Sequence, residues 1–137
     1  MAVVKTPAGR PDTETGKDAQ LRILMVDDDA LILMLTVELL KDMGYDVTSA
    51  DSGAKALQIL ESDDGFDLLI TDMSMPHMNG MQLALAVKAF LPELPILLAT
   101  GGTDLDAASD LQLPQLAKPY SEFDLQAAID SLVGQSG

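Results

Sequence analysis

The sequence predicts an α/β fold: a doubly wound, five-stranded parallel sheet with helices on both faces. Three observations carry this. Short apolar runs alternate with longer segments of helical period. The connections are short, so successive strands should run parallel across right-handed helical crossovers. The first run, Ile23–Val26, is apolar at every position, as a strand buried on both faces should be.

Residues 1–20 read as a disordered N-terminal tail, because Pro7, Gly9, Pro11 and Gly16 interrupt polar residues without an apolar period. Residues 21–133 read as one domain and residues 134–137 as a C-terminal tail. The run Ile23–Val26 is the first strand, and Asp27-Asp28-Asp29 ends it. Ala30 to Met43 is helical, with Gly44 as its stop. Asp46–Ala50 is the second strand. Ser52 caps a helix over Gly53–Glu61. Asp67–Thr71 is the third strand and ends at Asp72. After a loop with Pro76 and Asn79-Gly80, a helix runs from Met81 to Phe90. Pro92 and Pro95 bracket the turn into the fourth strand, Ile96–Ala99. Between Gly102 and Pro114, where Gly, Asp and Pro are dense, a shortened or mobile fourth helix is expected. Gln115–Ala117 is a short fifth strand. Ser121, with Asp124 three residues on, opens the last helix, which runs to about Val133.

Composition limits the function. The chain has 8 Lys plus Arg against 22 Asp plus Glu, a net charge of −14. Binding to nucleic acid or to an anionic membrane needs clustered cations and is not expected. Metal cations and basic partner surfaces suit such a chain better. The absence of Cys excludes disulfides, thiol catalysis and thiolate-bound zinc. No apolar run reaches the ~18 residues of a membrane span. The N-terminus lacks the apolar block of a signal peptide, so the cytoplasm is the expected compartment.

In a doubly wound sheet, ligands bind at the carboxyl ends of the strands. Here those ends carry Asp27-Asp28-Asp29, Asp72, Thr100 and Lys118, the last followed by Pro119. Gathered carboxylates repel one another unless a cation sits among them. Hard oxygen ligands without Cys favour Mg²⁺. Phosphate loops, dinucleotide fingerprints and EF-hand loops are absent. An aspartate-nucleophile phosphatase would need a second Asp two residues after Asp72, and Ser74 stands there, so the general acid is missing.

The set Val26-Asp27-Asp28, Asp72-Met73-Ser74-Met75-Pro76, Asn79-Gly80, Ala99-Thr100-Gly101 and Lys118-Pro119 resembles the receiver domain of two-component response regulators, the CheY-like family. The resemblance covers about residues 21–133 and implies the flavodoxin-like strand order 2-1-3-4-5. It further implies that Asp72 takes a phosphoryl group from a sensor histidine kinase. Asp28, Asp72 and the backbone carbonyl of Ser74 would hold Mg²⁺, with Asp27 reaching the ion directly or through water. Lys118 and Thr100 would each bind a phosphoryl oxygen, and Lys118-Pro119 would be a cis peptide. The expected class is a stand-alone response regulator rather than an enzyme. Its catalysis would extend only to its own phosphorylation and dephosphorylation, with output to a downstream protein or phosphotransfer partner. A pseudo-receiver that binds without phosphorylation and a Mg²⁺-dependent hydrolase are the alternatives.

Several residues bear on that reading. Gln115 stands three residues before Lys118, where receivers usually carry a switch aromatic. His77 reads as a loop residue at the rim of the site. Met73, Met75 and Met78 flank Asp72 and are expected to line the site. The first helix is apolar nearly all round, and Leu31, Ile32 and Leu35, with Pro119 and Tyr120, are expected to form a docking face.

Overall fold

The computed structural model describes residues 20–101 and 113–133. Five strands, β1 (Arg22–Val26), β2 (Asp46–Ala50), β3 (Leu68–Asp72), β4 (Ile96–Thr100) and β5 (Gln115–Ala117), form one sheet. Every pairing is parallel, and the order across the sheet is β2-β1-β3-β4-β5. This is the strand order that the family resemblance implied. The described helices are α1 (Ala30–Asp42), α2 (Gly53–Ser62), α3 (Gly80–Phe90) and α4 (Glu122–Leu132). The expected helix between Gly102 and Pro114, and the two predicted tails apart from Gln20, lie outside the described residues.

The period of two along the strands sorts the core into two layers. Leu24, Val26, Leu69, Ile96 and Leu98 face the layer under α2 and α3. Ile23, Met25, Leu68, Ile70 and Leu97 face the other, under α1 and α4. That is why β1, β3 and β4 read as continuous apolar runs.

The helix ends follow their local chemistry. Asp29 caps α1 by accepting from the backbone N–H groups of Leu31 and Ile32, at 3.1 Å each. Gly44 takes φ +100°, the left-handed turn that ends the helix at little cost only for glycine. Asn79 and Gln82 form a capping box that starts α3 at Gly80, one residue earlier than the sequence suggested. Lys118-Pro119 is cis, as expected.

At the amino ends of the strands, Arg22 forks onto Asp63 with N–O distances of 2.7 and 3.1 Å. Its guanidinium lies 4.5 Å from the centroid of Phe66. Hydrogen bonding to Arg22 holds the Asp63 carboxyl below its ordinary value, and the N–H of Gly65 adds to this. A lowered folded-state value gives a stability contribution that is complete above the ordinary carboxylate pKa. The contribution is lost as pH falls through the folded value. Asp63→Asn should therefore flatten the acid limb of a plot of urea midpoint against pH below about pH 4. An unchanged acid limb would show that the pair is energetically silent.

Candidate functional site

The parallel register brings the predicted residues to one edge. Val26 pairs with Ala50 and Thr71, Asp72 with Ala99, and Thr100 with Ala117. The strands therefore end nearly level, and Asp27, Asp72, Thr100 and Lys118 emerge together. The backbone carries the ladder a step further: Asp27 N–H donates to Ala50, Met73 N–H to Ala99 and Lys118 N–H to Thr100. Asp72 and Thr100 are the last residues of their strands, so rigid sheet positions both side chains.

Asp27, Asp28 and Asp72 each offer a carboxylate oxygen, and these oxygens lie within 4.8 Å of one another. Asp27 and Asp72 are buried, whereas Asp28 is exposed. Burial pushes the Asp27 carboxyl up, and the neighbouring Asp72 and Asp28 push it further. The N–H of Asp29, which donates to Asp27 Oδ1 at 2.9 Å, acts in the opposite direction. A divalent cation would relieve this crowding. Hard oxygen donors at one edge fit Mg²⁺, which takes few protein carboxylates and keeps several waters.

Lys118 Nζ donates to Asp72 Oδ1 at 2.6 Å. Burial works against the ammonium, but Asp72, Asp27 and Tyr120 together more than offset it and the Lys118 pKa is raised. The lysine is thus a fixed cation beside the carboxylate. Thr100 Oγ1 is buried and has no hydrogen-bond partner among the described residues. Buried hydroxyls rarely stay so, and one at a site edge marks a place where a ligand oxygen completes the bonding. Ser74 lies in the loop after Asp72 with its side chain exposed.

Other expectations divide. His77 is exposed and takes φ +69°, in a turn closed by Met78 N–H donating to Pro76 at 2.7 Å. It is not among the clustered acids and remains a loop residue at this edge. Met73 and Met75 do not line the site as expected. Both are buried in the core under α2 and α3, and Met78 packs against that core. The chain turns inward after Asp72, and unbranched apolar side chains fill the space beneath the turn.

The surplus apolar residues of α1 are indeed outside the core: Leu31, Ile32, Met34 and Leu35 are exposed. Ile32, Leu35, Thr36 and Leu39 line a cavity of about 520 Å³ together with Lys118, Pro119 and Tyr120. Leu31 is not among the lining residues. Thr36 and Leu39 were missed, although positions 32, 35, 36 and 39 share one helical face and the spacing alone could have found them. Also missed was the support behind Asp72. Its carbonyl oxygen accepts from Thr71 Oγ1 at 3.0 Å, and Gly80 packs directly against it.

A family model for the response regulator receiver domain matches residues 23–130. The chain belongs to this receiver family. The receiver is 36% identical over 118 residues to the transcriptional regulatory protein CpxR of Escherichia coli (strain K12), a match covering 84% of this chain and 50% of CpxR. The chain thus spans about half the length of the CpxR proteins that it matches. The response regulator receiver protein CpdR of Brucella abortus (strain 2308) is also 36% identical over 118 residues, covering 82% of this chain and 96% of CpdR. Among solved structures, a response regulator receiver domain protein from Clostridium thermocellum superposes with a TM-score of 0.80 at 31% identity, covering 85% of this chain and 96% of that one. Receivers are signalling domains of two-component systems, and the family works through phosphorylation. No described helix is long and apolar enough to cross a membrane.

Proposed function

We propose that this receiver accepts a phosphoryl group on Asp72 from the phosphohistidine of a sensor kinase and signals through protein contacts or further phosphate relay. The observation that carries the reading is the placement of Asp72, with Lys118 Nζ at 2.6 Å and the Asp27 and Asp28 carboxylates grouped around it. In the transfer, an Asp72 carboxylate oxygen attacks phosphorus, the P–N bond to the imidazole breaks, and an acyl phosphate forms. Catalysis of this kind is mostly positioning and charge neutralisation on the equatorial oxygens. Lys118 leaves its bond with Asp72 and pairs with one phosphoryl oxygen. The buried hydroxyl of Thr100 donates to another. Asp27, Asp28, Asp72 and the Ser74 carbonyl are the groups proposed to hold Mg²⁺, which supplies further positive charge when bound. The match over 96% of CpdR supports a stand-alone regulator, and the equally identical match over half of CpxR supports a receiver within a longer protein. The acidic balance of the chain disfavours a nucleic-acid or anionic-membrane partner.

Intact mass after incubation with a small phosphodonor tests this. One added phosphoryl group is expected with Mg²⁺ and none with a chelator. Absence of an adduct under both conditions would favour a pseudo-receiver. Turnover of the donor without an adduct would favour a hydrolase.

The kinase must reach Asp72 along the edge that holds it. The cavity beside Lys118, walled by Ile32 and Leu35, is the proposed grip. A few buried apolar anchors usually dominate such contacts, at roughly 1–2 kcal/mol each. Ile32→Ala or Leu35→Ala should lower phosphotransfer from the kinase by ~10-fold. Labelling by a small phosphodonor should hardly change. Equal losses with both donors would mean that these side chains only support the core.

A further inference from the structure

A second cleft opens at the other end of the sheet, where β3 and β4 begin. Its volume is about 330 Å³. Phe66 and Leu94 are buried in its floor, and Phe90 stands 40% exposed at its side. Three carboxylates, of Asp64, Asp67 and Glu93, line it, and among the described residues no Lys or Arg does.

The neighbouring corner shows how this chemistry is satisfied within the molecule. There Arg22 stacks on Phe66 and forks onto Asp63, with Asp46 at 3.9 Å from its Nε. Its charge is held mainly by Asp63, and Asp46 and Asp67 share it. Asp67 Oδ2 accepts the backbone N–H of Arg22 at 2.8 Å, whereas Asp64 and Glu93 are exposed carboxylates of the cleft. The cleft thus places a second ring, that of Phe90, among carboxylates, with no cation among its described lining residues.

We propose that this cleft receives an arginine side chain presented by a partner protein. The planar guanidinium suits the partly exposed ring of Phe90, and its fork suits Glu93 or Asp64, which line the same cleft. Lysine offers a point charge without the stacking plane and fits less well. The cleft lies at the opposite end of the strands from Asp72, so an arginine-bearing partner could stay bound whether or not Asp72 is phosphorylated. The inference stands apart from the proposed phosphoryl transfer.

The test is a titration of the ¹⁵N-labelled full chain with the blocked peptide Ala-Ala-Arg-Ala-Ala, followed by amide shifts. Matched peptides carry lysine or citrulline in place of arginine. Saturable shifts are expected at Gly65, Phe66, Leu91, Glu93 and Leu94, stronger for arginine than for lysine and absent for citrulline. Phe90→Ala and Glu93→Gln should each weaken arginine binding by ~5-fold. The surface variant Glu93→Gln guards against loss of fold, and labelling of Asp72 should be unchanged in both. Absence of saturable shifts, equal shifts with citrulline, or indifference to both variants would overturn the proposal. So would movement of the same amides by Arg10→Gln in the absence of peptide, because the occupant would then be this chain itself.

Discussion

Asp72→Asn should keep its unmodified mass after incubation with a small phosphodonor and Mg²⁺, under conditions where the parent chain gains one phosphoryl group. The amide matches the carboxylate in shape, but its oxygen is neutral and does not attack phosphorus at a useful rate. The expected loss is complete, because a single group forms the new bond. Folding should survive. Lys118 loses the carboxylate that it meets at 2.6 Å, while Asp27 loses a like-charged neighbour. These effects oppose each other, so the melting temperature should move by only a few degrees, roughly the shift produced by 1 kcal/mol. Labelling of the variant at the parent rate would show that the acceptor lies elsewhere.

Gly80→Ala should be the most damaging small substitution near the site. A Cβ at this position would lie 2.5 Å from the Asp72 carbonyl oxygen and 2.9 Å from Met73 Cα. Both obstacles are backbone, so no rotamer change relieves them. The strand end or the start of α3 must move, against the bond from Gly80 N–H to Met73 O at 2.8 Å. Forced overpacking of this kind costs about 3 kcal/mol, which for a domain of this size lowers the melting temperature by roughly 10 °C. Because Asp72 itself carries the strain, phosphoryl labelling should also slow in the fraction that remains folded. A variant that melts and labels like the parent would mean that the loop yields freely and does not brace the carboxylate.

The strands and helices were legible because each carries its own period and punctuation. Gly44 and the capping residues Ser52, Asn79 and Ser121 act over a few residues of backbone, so their chemistry can be read locally. The one-residue shift of α3 to Gly80 is also local: the Asn79–Gln82 box decides it, whereas the apolar period alone starts the helix after the glycine. The candidate site residues were legible for a different reason. In a parallel sheet every strand points the same way, so residues that follow different strands meet at one edge even when far apart in sequence. Asp27, Asp28, Asp72, Thr100 and Lys118 could be gathered on that ground alone.

Tertiary structure decided what each of those positions experiences. The run Asp27-Asp28-Asp29 looks uniform in sequence. In the fold it divides into a buried carboxylate with a raised pKa, an exposed one, and a cap for α1. Composition cannot separate them, because burial depends on where the chain turns away from the sheet. Met73 and Met75 went to the core for the same reason: adjacency to Asp72 in sequence does not survive the turn that follows it. The cavity of α1 with Pro119 and Tyr120 was half legible, since its helical face has a period but its opposite wall comes from the far end of the chain. What the sequence by itself determined, then, is the order of elements and the edge on which the chemical groups gather, because both follow from short-range periodicity and the direction of parallel strands. Only the packed structure decided which carboxylate is desolvated, which hydroxyl lacks a partner among the described residues and which glycine braces the acceptor. Those properties are set by distances between segments with no local trace in one another's sequence.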